Sequence, residues 1–177
     1  MIRIGSQLTF CSPQNIIKRT VVEQDEQNRV TSIFSLDDIN VESEQTVFYD
    51  GILSAEIISI KQHTSTKDIE SLVANYNYFD FSELIPDCKI AQTDKQLVLD
   101  FGTNSFDKTN RILSQIIPSL STFSIFEIIA ACTYYPASIL GIKPELTENR
   151  CTKLSLWENV DLINKCLTPG TKIRQIS

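Results

Sequence analysis

The hydrophobic period of this chain changes twice, from that of strands to that of helices and back, and this order restricts the fold more than any single residue does. Gln7-Leu8-Thr9-Phe10 and the run from Ile16 to Glu23 are β-rich with partial alternation. Arg29 to Leu36 resumes the pattern beyond the polar turn Asp25-Glu26-Gln27-Asn28, which predicts a hairpin. A polar loop from Asp37 to Gln45 precedes Thr46-Val47-Phe48-Tyr49 and a further β stretch from Gly51 through Ile60. Ser65 and Asp68 then predict a short helix to about Tyr76, packed through Ile69, Leu72 and Val73. Gln96 to Phe101 reads as a strand ended by Gly102, and Tyr76 to Thr93 reads as irregular. Ile112, Leu113, Ile116, Ile117 and Leu120 share one helical stripe that stops near Pro118. Ser124 with Glu127 predicts a capped helix through about Cys132, and Pro136 and Gly141 bracket one more. β character returns in Thr152 to Trp157 and Thr171 to Ile176.

Isolated two-stranded ribbons are marginal in water, so the two terminal strand sets are expected to join one sheet system. The expectation is a single α+β domain over residues 1–177, with 1–60 and 151–177 supplying strands and 61–150 a mainly helical αβ part. A chain of 177 residues with 42% hydrophobic and 21% charged residues is ordinary globular material, able to bury a core without disulfides or metal. It is too short for a complete (β/α)8 barrel, about 200 residues or more, together with anything else.

Charge removes two classes of partner. A net charge of −6 with no Lys/Arg cluster repels phosphate backbones, so neither nucleic acid nor an anionic membrane is an expected partner. Met1 to Gln7 lacks the apolar core of a signal peptide. The longest apolar run, Ile125 to Cys132, is broken by Glu127, so no membrane span is expected and the cytoplasm is the expected location. Five cysteines at irregular spacing, with no CxxC, read as reduced thiols used as small core residues.

The single histidine, His63, limits the available chemistry. Metal sites built from several histidines are excluded within one chain, and a nucleophile–base pair would have to use His63. There is no GxGxxG, GxxxxGK[ST] or GxSxG, and only five glycines with which to build a phosphate-cradling loop. The carboxylate pairs Asp25-Glu26, Asp37-Asp38 and Glu42/Glu44 lie in polar turns, where ionised acids are well solvated. Tyr134-Tyr135, near Phe123, Phe126 and Pro136, reads as core.

Three segments, in order, carry a family resemblance. Phe48 to His63 resembles the first barrel strand of the metal-dependent amidohydrolase superfamily (its deaminase-like branch), where a Pro-Gly-Phe turn leads to a His-x-His pair of metal ligands. Here Ala55-Glu56 stand at the Pro-Gly positions, Lys61 at the first ligand and His63 at the second. Leu99 to Ser105 resembles the last barrel strand and its Gly-Thr-Asp-Ser motif, with Asn104 where the family has the aspartate that ligates metal and moves protons. Ser124 to Ile142 is similar to the helix pair after that strand, and Leu154 to Gln175 to the closing sandwich strands.

The resemblance implies a composite β-sandwich of the amidohydrolase type plus a small αβ remnant of the barrel, with one or two parallel strands and three or four helices. In an intact enzyme the first and last barrel strands are neighbours, so Ile57–Ile60 is expected to pair in parallel with Leu97–Phe101. It also implies a degenerate site. An amide at Asn104 cannot serve as a general base, and an ammonium at Lys61 repels a divalent cation. The leading expectation is therefore a catalytically inactive, amidohydrolase-like protein with a binding or interaction role, needing no cofactor. One alternative is a metal-dependent hydrolase of carbon–nitrogen bonds whose site, with zinc or iron on His63, is completed in trans by another chain. A second is a small-molecule-binding protein that uses Lys61, His63 and Asn104. Apolar surface and sheet edges left by the missing barrel predict a homodimer through the remnant, or a protein partner.

Overall fold

The computed structural model describes residues 1–37, 45–82 and 95–176. The chain is α+β, with a six-stranded mixed sheet and a separate two-stranded parallel one. The large sheet contains β1 (Ile2–Ser12), β2 (Asn15–Gln24), β3 (Val30–Ser35), β4 (Thr46–Ala55), β7 (Leu154–Glu158) and β8 (Lys172–Gln175), in the order β3-β2-β1-β4-β7-β8. Both ends of the chain thus supply one sheet, as the periodicity requires. The predicted hairpin is β2–β3, with Val21 opposite Phe34. Only β1 and β4 run parallel.

Each face of this sheet has its own core. Phe10, Ile52, Trp157 and Ile173 face the helices. Their sequence neighbours Cys11, Leu53 and Leu156 point the other way, into a second cluster with Ile4, Val22, Val30 and Leu146. That second cluster is covered because the sheet curls over it. The Val30 N–H donates to the Arg150 carbonyl at 2.8 Å and Thr152 N–H to the Asn28 carbonyl at 3.0 Å, joining β3 to the leader of β7 although three strands separate them in the sheet order. Gly51 makes the wrap possible. It has φ +147° at the register shift between β1 and β4, and a Cβ there would lie 2.2 Å from the Trp157 carbonyl oxygen.

Between the terminal strand sets lie α1 (Ile60–His63), α2 (Thr66–Leu72), β5 (Tyr76–Asp80), β6 (Gln96–Asp100), α3 (Phe106–Ile116), α4 (Ile125–Cys132) and α5 (Tyr134–Ile139). The mainly helical αβ part expected between them contains the parallel β5–β6 pair, on which α4 packs. The Ser124–Glu127 capping box forms in both directions and fixes the start of α4, whose Ile125, Ile128, Ile129, Ala130, Ala131 and Cys132 are all buried. Asn110 of α3 closes the free edge of β8 by donating to the Ile173 carbonyl at 2.8 Å and accepting its N–H at 2.7 Å. Among the described residues, no helix is long and apolar enough to cross a membrane.

Two sequence expectations are corrected here. β4 ends at Ala55, and Ile57–Ile60 is not a strand, since Ile60 opens α1. The Ile58 N–H bonds to the Cys132 carbonyl at 3.0 Å and the Lys61 N–H to Asp100 Oδ2 at 2.8 Å, so this backbone is committed to a helix end and a side chain rather than to a ladder. The parallel partner of β6 is β5 instead, with Tyr78 opposite Val98 and Asp80 opposite Asp100. The irregular reading of Tyr76 onward is wrong for Tyr76–Asp80. The rest of that stretch, Pro86 and Cys88 included, and Asp38, Glu42 and Glu44 of the carboxylate pairs, lie outside the described residues.

Candidate functional site

The carboxyl ends of β5 and β6 and the turn leaving β4 meet at one buried carboxylate. Asp100 is fully buried and accepts four hydrogen bonds: Ser59 Oγ at 2.7 Å and Gly102 N at 2.8 Å on Oδ1, Lys61 N at 2.8 Å and Tyr78 Oη at 3.0 Å on Oδ2. These donors come from the start of α1, from β5 and from the turn after β6, so one side chain fixes three segments. Burial, with the Asp100 charge adding to it, pushes both the Tyr78 hydroxyl and the Cys132 thiol far above their ordinary pKa ranges. Both stay neutral, and Tyr78 serves Asp100 as a donor.

Beside this knot, Lys61 Nζ donates to Asp80 Oδ2 at 2.9 Å and to Ser82 Oγ at 2.6 Å. A serine hydroxyl this close to a lysine has the geometry of a nucleophile–base pair, but the lysine would have to be neutral to take a proton. Asp80 opposes that. Its partial burial would raise its pKa, yet hydrogen bonds from Ser82 and Lys61 outweigh burial and hold it below the ordinary value, so it is an anion facing an ammonium. The arrangement is an ion pair with a hydroxyl attached.

His63 and Asn104 lie elsewhere, on a cavity of about 260 Å³ between the β4–α1 turn, the β6–α3 turn and the leader of β7. Ile58, Thr109 and Arg150 are its buried lining, and His63, Asn104, Cys151, Lys153 and Gln175 its exposed rim. Gln62 Nε2 donates to the Gly102 carbonyl at 3.2 Å and so holds the His63 and Asn104 turns together. Of the three residues singled out in the sequence, the structure brings His63 and Asn104 to one cavity, and Lys61 does not line it. Cys151 lines it too, although the cysteines read as core residues; that reading holds for Cys11 and Cys132, which are buried. No hydrogen bond joins Cys151 to His63 among the described residues.

Arg150 and Asp100 escaped the sequence reading. Asp100 reads from the sequence as an ordinary strand residue, and nothing there singles out Arg150. A signal existed for β5: Tyr76, Tyr78, Phe79 and Phe81 make the run rich in aromatic residues, which favour strands. For Arg150 there was none, because its burial depends on the sheet curling over.

The donors at hand do not fit a divalent metal. His63 is a lone imidazole, Asn104 a neutral amide and Lys61 an ion-paired amine. Among the described residues, no group of three His, Cys, Asp or Glu side chains is placed to hold an ion. A metal on His63 would need donors from beyond them.

No family model matches the chain, and no curated protein matches it. Among solved structures it is similar to N-acetyl-D-glucosamine-6-phosphate deacetylase from Mycobacterium smegmatis, an amidohydrolase-superfamily enzyme, with a TM-score of 0.26 and 6% identity over 69% of this chain and 30% of that one. A variant of the same enzyme, in complex with N-acetyl-D-glucosamine-6-phosphate, aligns with the same score, identity and coverage. The chain thus spans 30% of the length of these structures, and at a TM-score of 0.26 the likeness does not establish shared chemistry.

Proposed function

We propose that this is a catalytically inactive, amidohydrolase-like protein that binds a small molecule in the cavity between His63 and Asn104. The observation that carries the reading is the division of labour among the three marked residues. Lys61 is occupied by Asp80 and Ser82, while His63 and Asn104 flank a cavity whose buried lining is fixed by backbone hydrogen bonds. At about 260 Å³ the cavity falls just under the ~300–1,000 Å³ typical of drug-sized ligands, which suits a metabolite. A ligand that binds only the folded state raises Tm with its concentration, so a metabolite set screened by thermal shift without metal should yield stabilising compounds. His63→Ala and Asn104→Ala should weaken them. Zinc-stimulated amide hydrolysis or deamination by the pure protein would overturn the reading.

The expected homodimer is carried forward as a proposal with its surface moved. Of the exposed large apolar side chains among the described residues, Met1, Ile2, Val47 and Phe48 gather at one end of the β1–β4 pair, against Leu72 and Ile142 in the remnant. A monomer in light scattering at micromolar concentration would overturn it. A cytoplasmic location is likewise proposed, on four unpaired cysteines among the described residues, as reducing compartments favour.

A further inference from the structure

Arg150 is a buried cation with no carboxylate at contact distance among the described residues. It is 6% exposed, and no carboxylate of the described residues lies within 4.0 Å of it to form an ion pair. Its Nη1 donates to the carbonyls of Pro144 at 2.5 Å and Glu145 at 2.9 Å. Nε and Nη2 have no partner among the described residues, and neither is sealed from open space. The residue is also held rigidly, since its carbonyl accepts from Val30 N and its N–H donates to the Thr147 carbonyl. Taking a guanidinium out of water without an opposing charge is strongly unfavourable, and the usual compensation is a carboxylate on its fork. Among the described residues the protein supplies none at contact distance. Glu56 and Glu145 act on Arg150 only from farther away.

We propose that the cavity binds a small organic carboxylate, whose oxygens are received by the free side of the Arg150 fork while its apolar body lies on Ile58, Phe106 and Ile142. This rests on the reading of the cavity as a ligand site and names the ligand's class. Lys153 on the rim adds positive charge along the entry path of an acidic protein. Glu56, also in the lining, opposes a dianion more than a monoanion, which favours a carboxylate over a phosphate. A planar two-donor fork matches carboxylate geometry, which an ammonium cannot do.

The test uses benzoate, the neutral isostere benzamide and inorganic phosphate at pH 7, followed by calorimetry and thermal shift on the whole chain. Benzoate should bind and raise Tm, and benzamide should bind at least about tenfold more weakly, the loss of one charge-assisted pair. Arg150→Lys should lose the same factor. Because Arg150 also holds the Pro144 and Glu145 carbonyls and its variants can fail to fold, Glu56→Gln is the second variant, and it should tighten benzoate. Equal binding of benzamide and benzoate overturns the carboxylate assignment and leaves the binding reading standing, as does phosphate binding more tightly than benzoate. If no carboxylate and no metabolite binds at all, both fall.

Discussion

The six-stranded sheet and the β5–β6 unit bury their polar groups by different rules. In the sheet, the buried polar side chains among the described residues are neutral: Ser6, Thr9, Ser12, Thr20, Gln24, Ser54 and Ser155. Some pair locally, as Ser6 with Thr9 at 3.0 Å and Trp157 Nε1 with Ser54 at 3.1 Å, while Gln24 Oε1 and Ser155 Oγ have no partner. A neutral orphan costs about 1–3 kcal/mol, which a large apolar interface absorbs. At the end of β5–β6 the central buried polar group is an ion, Asp100, and a second, Arg150, lies in the leader of β7; an unmatched buried ion costs several kcal/mol. Asp100 is matched by four donors; Arg150 is matched on one nitrogen only. The sheet is a scaffold indifferent to polar detail, and the small unit is where polar detail is specified.

The sharpest break of this contrast is a pair of alanine substitutions. Asp100→Ala leaves four buried or half-buried donors without an acceptor and should lower stability by about 3–5 kcal/mol in urea unfolding. Ser155→Ala, in the sheet, removes an oxygen with no partner among the described residues and should leave stability unchanged or raise it by up to about 1–3 kcal/mol. Similar losses for the two would end the distinction.

A smaller effect separates two glycines. Gly102 has φ +62°, and a Cβ there would sit 2.2 Å from the Ser82 Cβ, because the turn after β6 presses on the end of β5. Gly141 has φ +70° and nothing within 4 Å. Gly141→Ala should cost about 1–2 kcal/mol, the left-handed backbone penalty alone, and Gly102→Ala about 1–3 kcal/mol more from overpacking. Thermal melts of the two variants side by side decide whether that turn is as tightly built as the Asp100 knot requires.

The same division explains what could be read from the sequence. Alternation in Ile16 to Glu23 and Thr152 to Trp157, and the Ser124–Glu127 capping pattern, are local signals, and strands and helix appear where those signals put them. Ile57 to Ile60 carries an equally apolar pattern and becomes a turn and a helix start, because Ser59 and Lys61 N–H are claimed by Asp100, 41 and 39 positions away. The site was half visible. His63 and Asn104 could be singled out as residues, but their cavity depends on Arg150, whose burial is a product of β3 meeting the leader of β7. No local pattern encodes that meeting.

Helix α4 touches both regions, packing on β6 and on β1, and its cap gives the next measurement. Ser124→Ala removes the acceptor for the Glu127 N–H and should cost about 1 kcal/mol in urea unfolding. If the two regions unfold together, the loss appears in a single transition. Two transitions, with only one displaced, would show that α4 belongs to one region alone.

The smallest expected effect concerns the ion pair that takes Lys61 away from the cavity. Lys61 and Asp80 are each about one-third exposed, so Lys61→Met should cost less than about 1 kcal/mol at pH 7. The pH dependence says more than the magnitude. Asp80 has its pKa lowered from 3.8 in the folded state, so its contribution is fully present above 3.8 and is lost as the pH falls through the lower folded value. The gap between wild type and Lys61→Met should therefore be constant above about pH 5 and close as the solution is made more acidic. Ser82 also bonds Asp80, so a smaller acid-sensitive contribution should survive in the variant. Benzoate affinity should not move, because Lys61 does not line the cavity. A variant that lost binding while keeping its acid profile would place Lys61 in the ligand site and return it to the company of His63 and Asn104.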